Sequence, residues 1–134
     1  MSNSIATGVA YNDPEFSTVY ATAEIGYASS AQGAATQATS KSTGVTLNAS
    51  SGQITMNNAA LGATTNVTFT LTNSTITAKD VIIFNVAGGN ATAGTYNVFT
   101  STLAAGSATV VLRNISAGSL SEAVVLNYAI IHAQ

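Results

Sequence analysis

The chain has 134 residues, enough for one domain, and charged residues make up only 6% of it against about 25% in an average domain. With a net charge of −2 and three basic residues it cannot neutralise a run of phosphates, which argues against a nucleic-acid partner. It has no cysteine, which excludes disulfides and thiol chemistry, and no apolar stretch approaches the roughly 20 residues of a membrane span.

Residues 1–40 are predicted to form an N-terminal arm. They contain the only proline, Pro14, and end in a run rich in Ala, Ser and Thr over residues 28–40. Their apolar residues are too many for a free linker, so we expect part of the arm to dock on a partner. These residues are Val9, Tyr11, Phe16, Val19, Tyr20, Ile25 and Tyr27. The alternative is a first strand that folds back on its own domain.

Residues 41–134 are predicted to form an all-β domain, because short apolar runs alternate with Gly, Asn and Ser. The clearest strand has Val67, Phe69 and Leu71 alternating with threonines. Further strands are predicted at residues 44–47, 52–57, 80–86, 95–103, 108–114 and 123–132. The spacing favours an antiparallel β-sandwich or jelly-roll-like domain with an extended N-terminal arm. Turns are predicted at residues 50–52, 104–107 and 117–119, with a hairpin tip at Gly88 and Gly89.

Two of these strands are apolar at consecutive positions, residues 81–84 and 124–126, which is typical of strands covered on both faces. One thin sandwich cannot cover both faces, so we expect these strands to form an oligomer interface. The residues predicted for it are Val81, Ile83, Val125, Tyr128 and Ile130.

No catalytic or metal site is predicted. The sole histidine, His132, would have to act as the general base of a serine mechanism, yet no Gly-x-Ser-x-Gly turn is present. The pairs Asp13 with Glu15 and Asp80 with Glu122 lack a context typical of glycoside hydrolysis. A metal held by three copies of His132 stays a geometric hypothesis. We therefore expect a protein that is not an enzyme and that needs no cofactor.

Several strings of the chain resemble structural proteins of tailed bacteriophages. In the domain these are STGVTLN (42–48), SSGQITM (50–56), VTFTLTNS (67–74), AGS (105–107) and VLRNISAGSLSEA (111–123). The opening GVAYNDPEF (8–16) is similar to the arm of capsid decoration, or cement, proteins. The resemblance implies a homotrimer on the outer surface of the virion capsid, at local three-fold positions, that clamps adjacent major capsid subunits and stabilises the head.

Two other functions stay open. A phage fibre or spike module could use a related β domain to contact host-surface glycans. A carbohydrate-binding module is the third reading, but such modules use planar aromatic side chains on an exposed face, and this chain has no Trp. Counting copies per virion separates a capsid protein from a fibre, since a fibre is present in few copies.

Overall fold

A computed structural model of the chain describes residues 17–133 and shows an all-β sandwich of two four-stranded sheets. The strands are β1 (Gln32–Thr36), β2 (Val45–Thr46), β3 (Ser51–Thr55), β4 (Asn66–Thr72), β5 (Val81–Gly88), β6 (Tyr96–Ala104), β7 (Ser107–Asn114) and β8 (Val125–Ile131), preceded by a 3-10 turn, Ser29–Ala31. The first sheet has the order β1-β3-β8-β5 and the second β2-β4-β7-β6. The predicted sandwich is confirmed. Within residues 17–133 no helix is long and apolar enough to cross a membrane.

The body of each sheet is antiparallel, and one edge strand of each sheet is parallel to its neighbour. The pairs β3–β8, β8–β5, β4–β7 and β7–β6 are antiparallel, whereas β1–β3 and β2–β4 are parallel. Between β1 and β3 the chain crosses to the second sheet, forms β2 and returns. Such a crossover brings β3 beside β1 in the same direction, which a tight hairpin cannot do.

The core lies between the sheets and follows the alternation of the strands. In β4, Phe69 and Leu71 are buried and Val67 packs against the core, while the intervening threonines face solvent, as the sequence predicts. The larger buried apolar residues of the core are Val45, Ile54, Met56, Leu61, Phe69, Leu71, Ile76, Ile82, Tyr96, Val110, Leu112, Val124, Leu126, Tyr128 and Ile130. Each large side chain removed from water contributes about 1.5–3 kcal/mol.

The segment predicted as an arm, residues 1–40, divides within the structure. Residues 17–28 form no strand and are exposed apart from Tyr27, whereas β1 is paired with β3. Gln37, which follows β1, is buried, and its Nε2 donates to the carbonyls of Lys41 at 3.0 Å and Thr43 at 2.8 Å. The chain is therefore paired with the sandwich from Gln32 onward, which lies before the predicted boundary at residue 40.

The turn predictions separate into one confirmed hairpin and one correction. Ala105 and Gly106 link β6 to β7, and Gly106 has a φ of +79°. Gly88 and Gly89 do not form a hairpin tip, because β5 belongs to the first sheet and β6 to the second. Gly89 instead serves a close approach: its φ is +77°, and a Cβ there would lie 2.1 Å from the carbonyl oxygen of Ala123.

Candidate functional site: the outer face of the first sheet

The two faces of β8 decide which predicted interface residues are accessible. Leu126, Tyr128 and Ile130 point into the core, so Val125, Asn127, Ala129 and Ile131 point outward. The Tyr128 ring lies 5.5 Å from that of Phe84, and its hydroxyl donates to the Ala49 carbonyl at 2.9 Å. Tyr128 and Ile130, both predicted for an interface, are core residues of their own sandwich.

The outer face of β5 and β8 carries an exposed apolar strip. Val81, Ile83 and Ile131 each keep 54% of their surface exposed. The register places Val81 opposite Ile131 and Ile83 opposite Ala129, so these four residues form one patch, called here the apolar strip. Val81 and Ile83 were predicted for the interface, and Ile131 was missed. The polar Asn127 lies on the outward face of β8 with the other odd-numbered residues.

Beside the apolar strip, the same face becomes polar. Gln53, Asn127 and Asn85 form one row across β3, β8 and β5, and Gln53 Nε2 donates to Asn127 Oδ1 at 3.0 Å. Next to this row a shallow pocket of about 330 Å³ is lined by Gln32, Ser51, Gln53 and Asn127 together with the backbone of two glycines. Val125 lies outward at the far end of β8 and is half-buried. The face thus offers an apolar end and an amide-rich end.

Residues 17–28, called here the N-terminal segment, leave the sandwich at the end of the sheet that carries the apolar strip. The Tyr27 hydroxyl donates to the carbonyl of Ile130, and Gln32 Nε2 donates to the Tyr27 carbonyl at 3.0 Å. Tyr27 therefore docks on its own domain. Val19, Tyr20 and Ile25 are 60%, 91% and 77% exposed. The other predicted arm anchors, Val9, Tyr11 and Phe16, lie outside the described residues.

The sole histidine serves to join chain segments in this structure. His132 Nδ1 lies 3.0 Å from Asp80 Oδ2. The Asp80 carboxylate also accepts from the N–H and hydroxyl of Thr77, both at 2.8 Å, and from the Ala133 N–H at 3.1 Å. These donors, with the Thr77 N–H first, lower the pKa of Asp80 to about 2. The cluster ties the end of β8 to the start of β5, beside the apolar strip.

A second polar cluster lies inside the sandwich, around a buried lysine. Lys41 Nζ donates to the carbonyls of Asn57 and Glu122, and burial lowers its pKa. Glu122 accepts from the Ala91 N–H at 2.7 Å, and burial together with Glu122 raises the pKa of Tyr96 to about 12. These groups hold loops together. Among the described residues no group of three or more His, Asp or Glu side chains could hold a metal ion.

Comparisons with protein-family models, with curated proteins and with solved structures gave no match. The resemblance to decoration proteins therefore depends on the quoted sequence strings alone. What the structure adds is a face with an apolar strip and an exposed segment that leaves the sandwich beside it.

Proposed function

We propose that this protein is a structural, non-enzymatic module that assembles with copies of itself through the apolar strip and attaches to a larger surface through its N-terminal segment. The observation that carries this proposal is the strip, defined by Val81, Ile83, Ala129 and Ile131. The largest contiguous apolar patch on a protein surface is often functional, and these four side chains lie side by side on one strand pair. The resemblance to decoration proteins directs the proposal to a homotrimer on the outside of a phage head.

The surface chemistry of the chain favours a permanent assembly. Only 6% of its residues are charged, so the exterior is dominated by hydroxyl and amide groups. Net charge and charged side chains keep freely diffusing proteins apart in solution. A protein held in an assembly does not need this repulsion, and burying its exposed aliphatic surface adds about 25 cal/mol per Å².

The N-terminal segment is suited to attachment because the side chains of residues 17–25 are exposed and are not used by its own sandwich. An extended segment can bind along a neighbouring protein, with main-chain hydrogen bonds supplying affinity and apolar side chains acting as anchors. In an oligomer several such segments act at high effective concentration, so each contact can be weak. The partner in this proposal is the major capsid protein.

The test of assembly is the substitution Ile83→Asp, with Thr68→Asp as its matched control. Thr68 is an exposed residue of β4 on the outer face of the second sheet. We expect Ile83→Asp to give monomers by multi-angle light scattering. The oligomer would bury the apolar strip, and a carboxylate there would lose its hydration without gaining an opposite charge. Thr68→Asp should remain oligomeric. A wild-type chain that is monomeric at all concentrations contradicts the proposal.

Attachment is tested separately by the number of copies on purified heads. A decoration protein is present in stoichiometric amounts with the major capsid protein, and a quantitative gel of virions measures the ratio. Few copies per virion would favour the fibre or spike function instead.

The amide-rich end of the outer face is the observation that favours the second candidate, contact with glycans. Gln32, Gln53 and Asn127 surround a pocket of about 330 Å³, and amide groups can donate to and accept from sugar hydroxyls. Binding on a glycan array that is lost in Gln53→Ala would support this function. An array without binding would leave the capsid proposal as the better one.

A further inference from the structure

The alternation of β8 shows which of its backbone groups bond to each neighbour. The Ile130 N–H donates to the Ser50 carbonyl at 2.9 Å, so the backbone of Ile130 is directed toward β3. Successive residues of a strand direct their N–H and C=O groups to opposite sides. The backbones of Ala129 and Ile131 are therefore directed toward β5.

The same alternation leaves one edge of β5 open. Ile83 and Val81 pair with the two β8 residues directed toward them. The backbone groups of Ile82 and Phe84 then point away from β8, and within residues 17–133 they make no hydrogen bond across that edge. The first sheet thus ends in a row of free donors and acceptors.

The edge of β5 is less protected against pairing with another chain than the other three sheet edges, which are β1, β2 and β6. Proteins usually shorten or interrupt edge strands so that they do not pair with another chain. β1 has five residues, β2 has two, and β6 is interrupted by a bulge at Ser101. β5 keeps a regular register from Val81 to Val86 and is irregular only after that. It is the edge of the described sandwich best able to accept an additional strand.

A cleft lies along the open edge, where β5 and β6 separate. It has a volume of about 370 Å³, and its lining includes Ile82 of β5 and Thr100 and Leu103 of β6. Thr100 Oγ1 is shielded from solvent and has no hydrogen-bond partner. The rest of the lining includes the polar residues Asp80, Ser101 and Thr102, so the cleft can receive both an apolar side chain and a hydrogen-bonding backbone.

The N-terminal segment has the pattern of a strand without a place in a sheet. Over residues 18–25, apolar and more polar side chains alternate with a period of two, which is typical of a strand with one buried face. The odd-numbered residues are Val19, Ala21, Ala23 and Ile25, and the even-numbered residues are Thr18, Tyr20, Thr22 and Glu24. In its own chain this segment forms no strand and is exposed.

We propose that residues 18–25 of a second copy add as a strand to the open edge of β5. One of the odd-numbered apolar side chains then lies over the cleft beside Ile82, and Glu24 stays in solvent. The donor leaves its sandwich beside Ile130, to whose carbonyl Tyr27 is bonded, and Ile130 pairs with Ile82 of the acceptor edge. Donor and acceptor lie at the same end of the sheet and on its opposite edges, since the segment leads into β1, so each copy can donate its segment to the next one around a ring.

This inference rests on the proposed self-assembly and names the contact that forms it. It assigns residues 18–25 to a neighbouring copy rather than to the capsid subunit. Attachment to the capsid would then depend on residues nearer the start of the chain.

Two adjacent proline substitutions, Thr22→Pro and Ala23→Pro, test for a strand in the full-length protein. In an added strand, one of these two N–H groups bonds to β5 and the other faces solvent, and proline is tolerated only at the second position. We expect one variant to lose the oligomer by light scattering and the other to keep it. Measured on dissociated monomers, both variants should have the same thermal unfolding midpoint as the wild-type monomer, because neither residue pairs with its own sandwich. Equal effects of the two prolines, whether both harmless or both disruptive, overturn the proposal.

Thiol cross-linking tests which chain the segment occupies, and the absence of native cysteine makes the products unambiguous. Tyr20→Cys in one chain is co-expressed with Asn85→Cys in a second, tagged chain, and a short bismaleimide is added. Asn85 is an exposed β5 residue beyond the apolar strip. A product joining tagged and untagged chains supports the proposal, provided that a partner carrying Thr68→Cys gives none. A third variant carries both Tyr20→Cys and Asn85→Cys in the same chain. If only this variant is cross-linked, and only within single chains, the proposal is overturned.

The two proposals fail in distinguishable ways. An oligomer that Ile83→Asp dissociates, but that the proline pair leaves intact, rejects strand addition and supports assembly through the strip. A wild-type chain that is always monomeric rejects both.

Discussion

Adjacent isoleucines at the end of β8 provide a direct test of which face of the strand is buried. Ile130 has no exposed surface, whereas Ile131 keeps 54% of its surface exposed. Replacing a fully buried isoleucine by alanine removes its transfer free energy and leaves a cavity, which together cost about 2–5 kcal/mol. Replacing the half-exposed one should cost about 1 kcal/mol or less, because full burial contributes only about 1.5–3 kcal/mol.

The measurement is urea unfolding of Ile130→Ala and Ile131→Ala, followed by circular dichroism. It should be made at the lowest usable protein concentration, because association stabilises the folded state by mass action. At higher concentration Ile131→Ala should in addition weaken the oligomer, since it removes part of the apolar strip. Equal losses of unfolding free energy in the two variants, or a larger loss at Ile131, would refute the assignment of the two faces.

The remaining predictions concern a glycine pair and a carboxylate. Gly89→Ala should lower the free energy of unfolding by more than about 2 kcal/mol, because the added Cβ meets the Ala123 carbonyl oxygen in a positive-φ conformation. Gly94→Ala, with a φ of +76° and open space around it, should cost only about 1 kcal/mol, and equal costs in denaturant titrations would contradict the close approach. The pKa of Asp80 is lowered in the folded state, so its contribution to stability is present above the ordinary value of 3.8 and is lost as the pH falls toward about 2. In Asp80→Asn the midpoint of urea unfolding should therefore change less with pH over that interval than in the wild-type protein. The same pH dependence in both proteins would show that the Thr77 contacts do not hold the carboxylate ionised.

The strands could be predicted from the sequence because period-two alternation and turn residues are local signals. Val67, Phe69 and Leu71 with their threonines identify β4 without reference to any other element. The pairing of strands is not local, so the parallel edges of the two sheets could not be predicted. Gly88 and Gly89 show the same limit: a positive φ is needed both at a hairpin tip and where the backbones flanking two neighbouring strands approach closely, and only the partner, Ala123, distinguishes them.

The candidate site was predicted only in part, because consecutive apolar residues hide the alternation. Val81 and Ile83 share one face and were both assigned to it, whereas Tyr128 and Ile130 belong to the opposite face of their strand. Asn127, the one polar residue in the middle of β8, carried the information that separates the two sets. The Asp80–His132 contact brings together residues far apart in sequence, so no spacing rule could find it.

The position of β8 in the first sheet has a consequence for how the protein is made. β8 is the last of the described strands along the chain, yet it lies between β3 and β5 and pairs with both. A ribosome releases strands in order, so β3 has only β1 as a partner, and β5 has none in its sheet, until residues 125–131 emerge. The second sheet has no such delay, because β4, β6 and β7 are already complete. The core side of the first sheet is complete only once β8 is inserted, because β8 carries the buried Leu126, Tyr128 and Ile130.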